Sequence, residues 1–393
     1  MYGIMKKHPA CGGFRREQSC TIFKDNVLPA KFIVNSIRFP KINHKIISLC
    51  SREGEILLIL SFIMKRFPVH LRSLVVLLWL LKPAFATASP AYTLKHHSME
   101  DTFSTKVCSK CIILVDQSLP AVDIIAAETE KLVWQWRPGP DVGIPAKDVH
   151  LFSNPDDAKP VYGGQYLLLN ASGGGVALVR LADKQAVFYA YAGQNPHSSE
   201  LLPDGNIVTA SSNDNRLVLF HVDTTAEKVY KKIVPLPFAH NVVWDKKRQL
   251  LWSAARDKLY ALRYNFQCSS PDLVPVDSIQ LPGTDAHDLF PVFGKDLLWL
   301  TTVDGTYQVD PAHRTVRAMR WKYSRNIKSV SSGPEDFPVI VILPKEQWWT
   351  DEISDRDGHR IFRQPGMKIY KARWLLPNRF SYGDETMLKV CGK

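Results

Sequence analysis

Residues 108–393 alternate between short apolar runs and polar turn residues. The runs are five to eight residues long, and turn signals such as Asp204-Gly205, Asp304-Gly305 and the glycines at 173–175 separate them. Strands have this length and these boundaries, whereas the 3.6-residue period of an amphipathic helix is not sustained in this part of the sequence. The pattern therefore predicts an all-β chain.

The same region contains an internal repeat. Segment 154–159 resembles segment 195–200, and segment 239–241 resembles segment 286–288. One position of the repeat advances by 41, 43 and then 47 residues and is occupied in turn by Asp156, His197, His240 and His287. A period of about 40 to 50 residues made of short strands is typical of a β-propeller.

Grouping the runs by this period predicts a six-bladed β-propeller with five complete blades and one split blade. The split blade takes three strands from residues 111–136, and its innermost strand is expected at residues 385–391. The N-terminal and C-terminal strands then share one blade, which leaves no open sheet edge. The last complete blade is expected to use residues 337–343, 359–363 and 368–375.

This closure predicts a disulfide near the chain ends. The expected last strand finishes at Cys391, beside the start of the first strand, where Cys108 and Cys111 lie. Cysteines of an exported protein are commonly paired, so we expect Cys391 to pair with Cys108 or Cys111. The alternative is that all of these cysteines are free.

Residues 64–86 resemble a secretory signal peptide. A basic start at Met64 precedes a short apolar run and an Ala-x-Ala pattern, which are the three regions of such a signal. The run has about half of the ~20 residues that a membrane-spanning helix needs, so no stable membrane span is expected after cleavage.

The signal divides the chain into four parts. Residues 1–63 are interpreted as a non-native upstream extension before the true start, 87–107 as a flexible mature N-terminus, and 108–393 as the propeller. This arrangement predicts a secreted or periplasmic protein. The alternative is a cytoplasmic extension that precedes a signal anchor.

The charge of the chain does not indicate a nucleic-acid partner. The formal net charge is +12, but residues 1–89 carry 14 Lys and Arg against 4 Asp and Glu, which is +10. Subtraction from the totals of 50 and 38 leaves 36 against 34, or +2, for residues 90–393. Because the predicted propeller is nearly neutral, binding to a polyanion loses its electrostatic basis.

The repeat position suggests a functional site. In a propeller, equivalent residues of the innermost strands surround the mouth of the central channel, so Asp156, His197, His240 and His287 are expected to form a ring. Lys328 or Asn326 is expected as the fifth member, and Tyr382 or Asp384 as the sixth. Ser199, Glu200, Asn241 and Asp288 are candidates to orient or extend this set.

Two interpretations of the ring remain open. Imidazoles with a nearby carboxylate suit Zn²⁺ or Mn²⁺, with His197, His240 and His287 as ligands, or they suit acid–base catalysis by the same histidines. Alternatively, each histidine makes a structural hydrogen bond to a neighbouring blade.

The connection at 344–358 is the longest between the predicted strands. It contains Trp348 and Trp349 beside acidic residues. Tryptophan rings next to hydrogen-bonding groups suit a sugar face, so both are candidates for ligand binding. The alternative is that one of them packs against a blade.

Several segments of the chain resemble known propellers. The segments 112–117, 134–136, 197–212, 239–244 and 286–291 together resemble an uncharacterised family of secreted bacterial six-bladed propellers. The stretch 197–206 also resembles repeats of bacterial arylsulfotransferases, and the three ring histidines resemble the manganese centre of oligogalacturonate lyases. These local likenesses imply a functional channel mouth without selecting a reaction.

The sequence therefore predicts an exported propeller that binds a glycan or a small anion in a His-lined central funnel. The first alternative is an enzyme of the same architecture, either a metal-assisted polysaccharide lyase, with Arg360 or Arg363 holding the acid, or an arylsulfotransferase-like transferase. The second alternative is a structural or interaction scaffold.

Overall fold

The computed structural model describes residues 108–222 and 230–390. They form 24 strands in six four-stranded antiparallel sheets, with short 3-10 helices at Pro140–Val142, Ala146–Phe152 and Tyr162–Gly164. The sheets stand in a ring as the blades of a six-bladed β-propeller, which confirms the predicted fold class. None of the described helices is long and apolar enough to cross a membrane. The predicted extension, signal peptide and mature N-terminus lie outside the described residues.

Each blade has four strands, which follow one another from the channel outward. Blade 1 contains β24 (Ile369–Trp374), β1 (Cys111–Asp116), β2 (Ala121–Ala126) and β3 (Lys131–Trp136), and blade 2 contains β4 (Pro155–Val161), β5 (Tyr166–Ala171), β6 (Gly175–Arg180) and β7 (Ala186–Tyr191). Blade 3 contains β8 (Pro196–Leu201), β9 (Ile207–Ser211), β10 (Arg216–Phe220) and β11 (Lys231–Pro235), and blade 4 contains β12 (Val243–Asp245), β13 (Leu250–Ala254), β14 (Lys258–Tyr264) and β15 (Leu273–Gln280). Blade 5 contains β16 (Asp288–Pro291), β17 (Leu298–Thr301), β18 (Thr306–Asp310) and β19 (Thr315–Ala318), and blade 6 contains β20 (Ser329–Ser331), β21 (Ile340–Ile342), β22 (Glu352–Asp355) and β23 (Arg360–Arg363).

The ring closes through β24, and the predicted closing strand at 385–391 is wrong. Strand β24 pairs antiparallel with β1, with Ile112 opposite Trp374 and Leu114 opposite Ala372. The sequence pattern favours blade 6 for these residues because β22, a half-buried polar strand within the predicted connection at 344–358, has no alternating apolar pattern. With β22 in place, blade 6 already has its four strands, and the apolar β24 is left for blade 1.

Apolar side chains between successive blades form the core. Ile113 of blade 1 shares one cluster with Leu167 of blade 2, and Val208 of blade 3 shares another with Leu251 of blade 4. Burying each such side chain contributes about 1.5–3 kcal/mol. The tryptophans of the strands belong to this core, and all are at most 6% exposed: Trp134, Trp136, Trp244, Trp252 and Trp299.

The residues that follow β24 pack against blades 2, 3 and 4. The Tyr382 hydroxyl donates a short hydrogen bond to the Glu200 carboxylate, and Lys246 Nζ donates to the Tyr382 carbonyl over 2.8 Å. Gly205 has a φ of +91°, and a Cβ there would lie 2.4 Å from the Lys389 carbonyl oxygen. Only glycine fits this turn without displacing the tail.

The disulfide prediction requires a correction. Cys108 is bonded to Cys111, and a sulfur takes part in one disulfide only, so neither is left for Cys391. Cys268 is also disulfide-bonded. Cys391 lies outside the described residues.

Candidate functional site

A shared backbone feature positions one side chain per blade at the channel mouth. In β4, Pro155 pairs with Ala171 and Asp157 with Asn170, so Asp156 is an extra residue without a partner of its own. The β8 strand repeats this bulge at His197. A β-bulge redirects a side chain that regular pairing would place elsewhere, and bulges are common beside functional sites.

The other blades place their ring residue at the equivalent point. The backbone N–H groups of His240, His287 and Lys328 donate to the last residue of the second strand of their blades, which is Ala254, Thr301 and Ile342 respectively. In β24 the register shifts between the partners Asp116 and Leu114. This shift sets Tyr370 at the ring position of blade 1.

These side chains line one cavity of about 350 Å³, which is named the funnel here. Its lining residues are Gln117, Asn154, Asp156, Ser172, Asn195, His197, His240, His287, Lys328, Trp348 and Tyr370. The structure thus brings together Asp156, the three histidines and Lys328, which the repeat had singled out. Asn326 does not line the funnel but accepts a hydrogen bond from Lys328.

The predicted sixth member of the ring is wrong. Tyr370 holds that position, whereas Tyr382 is bonded to Glu200 and neither Tyr382 nor Asp384 lines the funnel. The error follows from the strand assignment, because a tyrosine placed in an outer strand of blade 6 could not be counted as a channel residue.

The three histidines pack closely without converging on one point. His197 and His240 stack with ring centroids 4.0 Å apart and 13° between planes, and the His240–His287 pair lies edge to face at 5.7 Å and 67°. Parallel stacked imidazoles direct their in-plane lone pairs past each other, whereas metal ligands must aim at a common centre.

The geometry therefore does not fit the predicted Zn²⁺ or Mn²⁺ site. Within residues 108–222 and 230–390, no three His, Cys, Asp or Glu side chains form a group that could hold a metal ion. The His287 Nε2 lone pair is directed instead at the Lys328 ammonium, 2.9 Å away. The Lys328 ammonium thus contacts the His287 nitrogen that would otherwise be a metal ligand.

His197 is oriented by polar neighbours. The Asn195 side-chain amide donates to His197 Nε2 over 2.8 Å, which leaves the ring proton on Nδ1. Nδ1 lies 3.5 Å from Asp156 Oδ1, and Ser172 Oγ donates to Asp156 Oδ2 over 2.7 Å. Ser172 and His197 thus hold the Asp156 carboxylate, and Asn195 and Asp156 fix the orientation of the His197 ring.

His240 is the opposite case. Its side chain is 4% exposed, and neither of its ring nitrogens has a hydrogen-bond partner among the described residues. Burial, followed by the charges of His197 and His287, holds its pKa well below the usual value. A neutral imidazole offers one donor and one acceptor, and both are unsatisfied at the base of the funnel.

Lys328 is the cation of the ring. Its Nζ donates to His287 Nε2 and to Asn326 Oδ1, each over 2.9 Å, and no carboxylate of the described part forms an ion pair with it. Burial and the nearby charge of Lys371 lower its pKa to about 8. Burial and the charge of Lys328 lower the pKa of His287 to about 3, so this imidazole is neutral at neutral pH.

Below the ring, six charged side chains fill the channel and are named the buried ionic network: Asp157, Lys159, Glu200, Asp288, Lys371 and Arg373. Arg373 lies between two carboxylates, with Nε 3.0 Å from Asp157 Oδ1 and Nη2 2.6 Å from Asp288 Oδ1. Lys371 Nζ lies 3.4 Å from Asp288, and Lys159 Nζ lies 2.8 Å from Glu200. Each charge in the network has an opposite charge within reach.

Some predicted ligand residues belong to this lower layer. Glu200 and Asp288 are part of the network, and Asn241 accepts from Lys371 Nζ over 3.3 Å. None of the three lines the funnel. Burial raises the pKa of Asp157, but the charges of Arg373 and Lys371 outweigh it and hold that pKa below its usual value.

The two adjacent tryptophans have different positions. Trp348 lines the funnel, is 48% exposed, and donates from Nε1 to Gln117 Oε1 over 2.9 Å. Trp349 faces Lys368, whose Nζ lies 5.0 Å from the ring centroid, and does not line the funnel. Arg360 and Arg363 are on the outermost strand of blade 6 and do not line it either.

Sequence reasoning missed five lining residues. They are Gln117, Asn154, Ser172, Asn195 and Tyr370. A signal existed for two of them, because Asn154 and Asn195 stand two residues before the ring position and have φ angles of +50° and +56°. Asparagine tolerates this left-handed conformation better than most residues, so its recurrence in the repeat marks the turn into the ring.

The fold and the site place the chain among the six-bladed β-propellers that have a polar funnel at one channel mouth. Within this class, the chain belongs to the Family of unknown function (DUF6528), whose model matches residues 70–391. This confirms the predicted resemblance to an uncharacterised propeller family. No curated protein matches the chain.

Several solved structures are distantly similar to the chain. A protein of unknown function from Bacteroides caccae is 12% identical, with a TM-score of 0.44 over 67% of this chain and 98% of that one. A functionally unknown protein from Desulfotomaculum acetoxidans is 9% identical, with a TM-score of 0.42 over 69% and 100%. The β-propeller domain of Cps50 (Swd1) from Myceliophteria thermophila is 15% identical, with a TM-score of 0.43 over 63% and 80%. These similarities carry no argument about function.

Proposed function

We propose that the funnel binds a small polar anion, and that an acidic sugar is the kind of ligand that suits it. The proposal is carried by one observation: Lys328 is a buried cation at the channel mouth, and no carboxylate of residues 108–222 and 230–390 pairs with it. Removing a charged ammonium from water is costly unless an opposite charge accompanies it. A bound carboxylate supplies that charge.

The neighbouring groups are suited to the remaining polar atoms of such a ligand. Both His240 nitrogens lack a partner among the described residues, and the ring proton of His287 is on Nδ1, which lacks one too, because Nε2 accepts from Lys328. Buried polar atoms in native proteins are nearly always paired, with protein, water or ligand. Two donors and one acceptor beside a cation match a carboxylate that carries a hydroxyl.

Trp348 supports a sugar as the body of the ligand. Its half-exposed ring forms part of the funnel wall, and its N–H is engaged by Gln117. An aromatic ring held in this way presents an apolar face to the C–H groups of a sugar, while the hydroxyls meet the polar ring. Export of the protein, predicted from residues 64–86, would bring such sugars within reach and forms part of the proposal.

The test compares glucuronate with glucose by isothermal titration calorimetry and thermal shift, using the full chain and Lys328→Met. Glucuronate is expected to bind and glucose to bind at least tenfold more weakly, because a hydrogen bond to a charged group is worth about 1.5–3 kcal/mol. Lys328→Met should lose this preference while remaining folded. Lys147→Met, at an exposed site that does not line the funnel, is the matched control.

Two outcomes would contradict the proposal. If neither sugar nor simple carboxylates bind, the funnel is a structural feature and the scaffold alternative is favoured. If glucuronate is instead converted to an unsaturated product, the lyase alternative is favoured.

A further inference from the structure

Lys328 differs from every other cation that the channel buries. Lys159, Lys371 and Arg373 each have a carboxylate oxygen within 2.6–3.4 Å. Within the described part of the chain, the acceptors of Lys328 are both neutral: the His287 imidazole and the Asn326 amide. The surroundings therefore stabilise the ammonium form less than they do for its neighbours.

The two hydrogen bonds also fix the orientation of the amine. Lys328 Nζ is 2.9 Å from both His287 Nε2 and Asn326 Oδ1. A tetrahedral nitrogen has three directions besides its bond to Cε, and these two hydrogen bonds use two of them. No described residue takes the third position. Because Lys328 lines the funnel, this is the position available to a bound molecule.

Electrostatics favour a reactive amine at the same place. Burial and the charge of Lys371 lower the pKa of Lys328 to about 8 from 10.5. At pH 7 about a tenth of the Lys328 amine is then uncharged, about three hundredfold more than for an exposed lysine. Desolvation and a neighbouring cation are established means of activating a lysine for attack on a carbonyl.

We propose that the ligand of the funnel carries an aldehyde or keto group beside its anionic group, and that Lys328 Nζ captures this carbonyl as an imine. The inference rests on the proposed anion-binding function and names its substrate class, the small carbonyl acids. The nitrogen lone pair forms a bond to the carbonyl carbon, and a proton passes from nitrogen to oxygen to give a carbinolamine. Loss of water then gives the imine, with no oxidation or reduction.

Reductive trapping tests the inference. The full chain is incubated at pH 7 with limiting glyoxylate, which has both an aldehyde and a carboxylate, and with cyanoborohydride, which reduces imines to stable amines. Peptide mass spectrometry is expected to locate the carboxymethyl group on Lys328 with a rate on the order of tenfold above that of exposed Lys147. The gain in uncharged amine is partly offset by the lower nucleophilicity of a less basic amine.

Two variants and a second ligand control the experiment. Lys328→Met and Lys328→Arg should lose the fast labelling, and their thermal unfolding establishes that they are folded. Lys147→Met should keep it. Glycolate, which has the carboxylate but no carbonyl, is titrated by calorimetry in parallel.

The outcomes separate the two proposals. If glycolate binds in a Lys328-dependent manner while Lys328 is labelled no faster than Lys147, the imine is ruled out and the anion site stands. If glycolate fails to bind and labelling is uniform, both proposals are wrong. Fast labelling that persists in Lys328→Met would also overturn the imine, because another lysine would then be the nucleophile.

Discussion

Two layers of the same channel use similar residues for different purposes. The innermost strands supply both layers: β24 gives Tyr370 to the ring and Arg373 to the buried ionic network, and β4 gives Asp156 to the ring and Asp157 to the network. In the lower layer every charge meets an opposite charge. In the upper layer, among the described residues, Lys328 has no carboxylate partner and the two His240 nitrogens have no hydrogen-bond partner.

The difference shows how to distinguish a scaffold from a site in a channel full of polar residues. Fully paired groups such as Arg373 with Asp157 and Asp288 have no capacity left for a ligand, so they hold the blades together. Groups that are buried yet unpaired keep that capacity. Residue type alone does not separate the layers, because carboxylates and cations occur in both.

The largest effect is expected from breaking the lower layer at Arg373. Arg373→Met removes the guanidinium that lies between Asp157 and Asp288 and leaves Lys371 as their more distant counter-charge. Removing one partner of such a buried set destabilises a protein by about 3–5 kcal/mol. Chemical denaturation of the variant measures this loss, and a loss below 1 kcal/mol would mean that the network does not hold the blades.

The pH dependence of stability is expected to single out Lys328 in the upper layer. Its pKa falls from 10.5 to about 8 on folding, so between these pH values the unfolded chain binds more protons than the folded one. Stability of the folded state therefore rises with pH across this window, by about 3 kcal/mol in all. Denaturation at pH 8 and at pH 10.5 should show a smaller rise in Lys328→Met than in the parent, and an equal rise would refute the assignment.

Tyr382 tests the tail that packs below the channel. Tyr382→Phe removes the short hydrogen bond to the Glu200 carboxylate, which remains paired with Lys159. A hydrogen bond to a charged group contributes about 1.5–3 kcal/mol, so we expect a loss near 2 kcal/mol in denaturation experiments. Ligand binding in the funnel should be unchanged, and a variant that lost binding instead would place Tyr382 in the site.

The smallest effect on stability is expected at the rim of the funnel. Trp348 is half exposed, and Trp348→Ala should change stability by less than about 0.5 kcal/mol. Affinity for glucuronate should nevertheless fall, because the stacking face is removed. Trp349→Ala is the matched control, since Trp349 does not line the funnel. Equal losses of affinity in both variants would show that Trp348 affects binding through the loop conformation and not by stacking on the ligand.

The sequence predicts those residues of the site that recur at one position of the repeat. Asp156, His197, His240 and His287 share one repeat position, and the bulged strand starts bring these side chains together. Tyr370 was not predicted as a ring residue. Its strand can be assigned to blade 1 only when β22 is recognised as a strand of blade 6, and β22 has no alternating apolar pattern. The stacked rings and the approach of Lys328, which do not suit a metal, could not be predicted because they depend on packing between blades.

The sequence by itself determined the all-β class, the six-bladed propeller and the repeat position that supplies the ring. These follow from local hydrophobic patterns and their period, and each is present within one repeat unit. Only the tertiary structure decided which strand closes the ring, which residue is its sixth member and which charges are paired. Those features are contacts between distant parts of the chain, such as Arg373 with Asp157, 216 residues apart, and they exist only once the blades have closed into a ring.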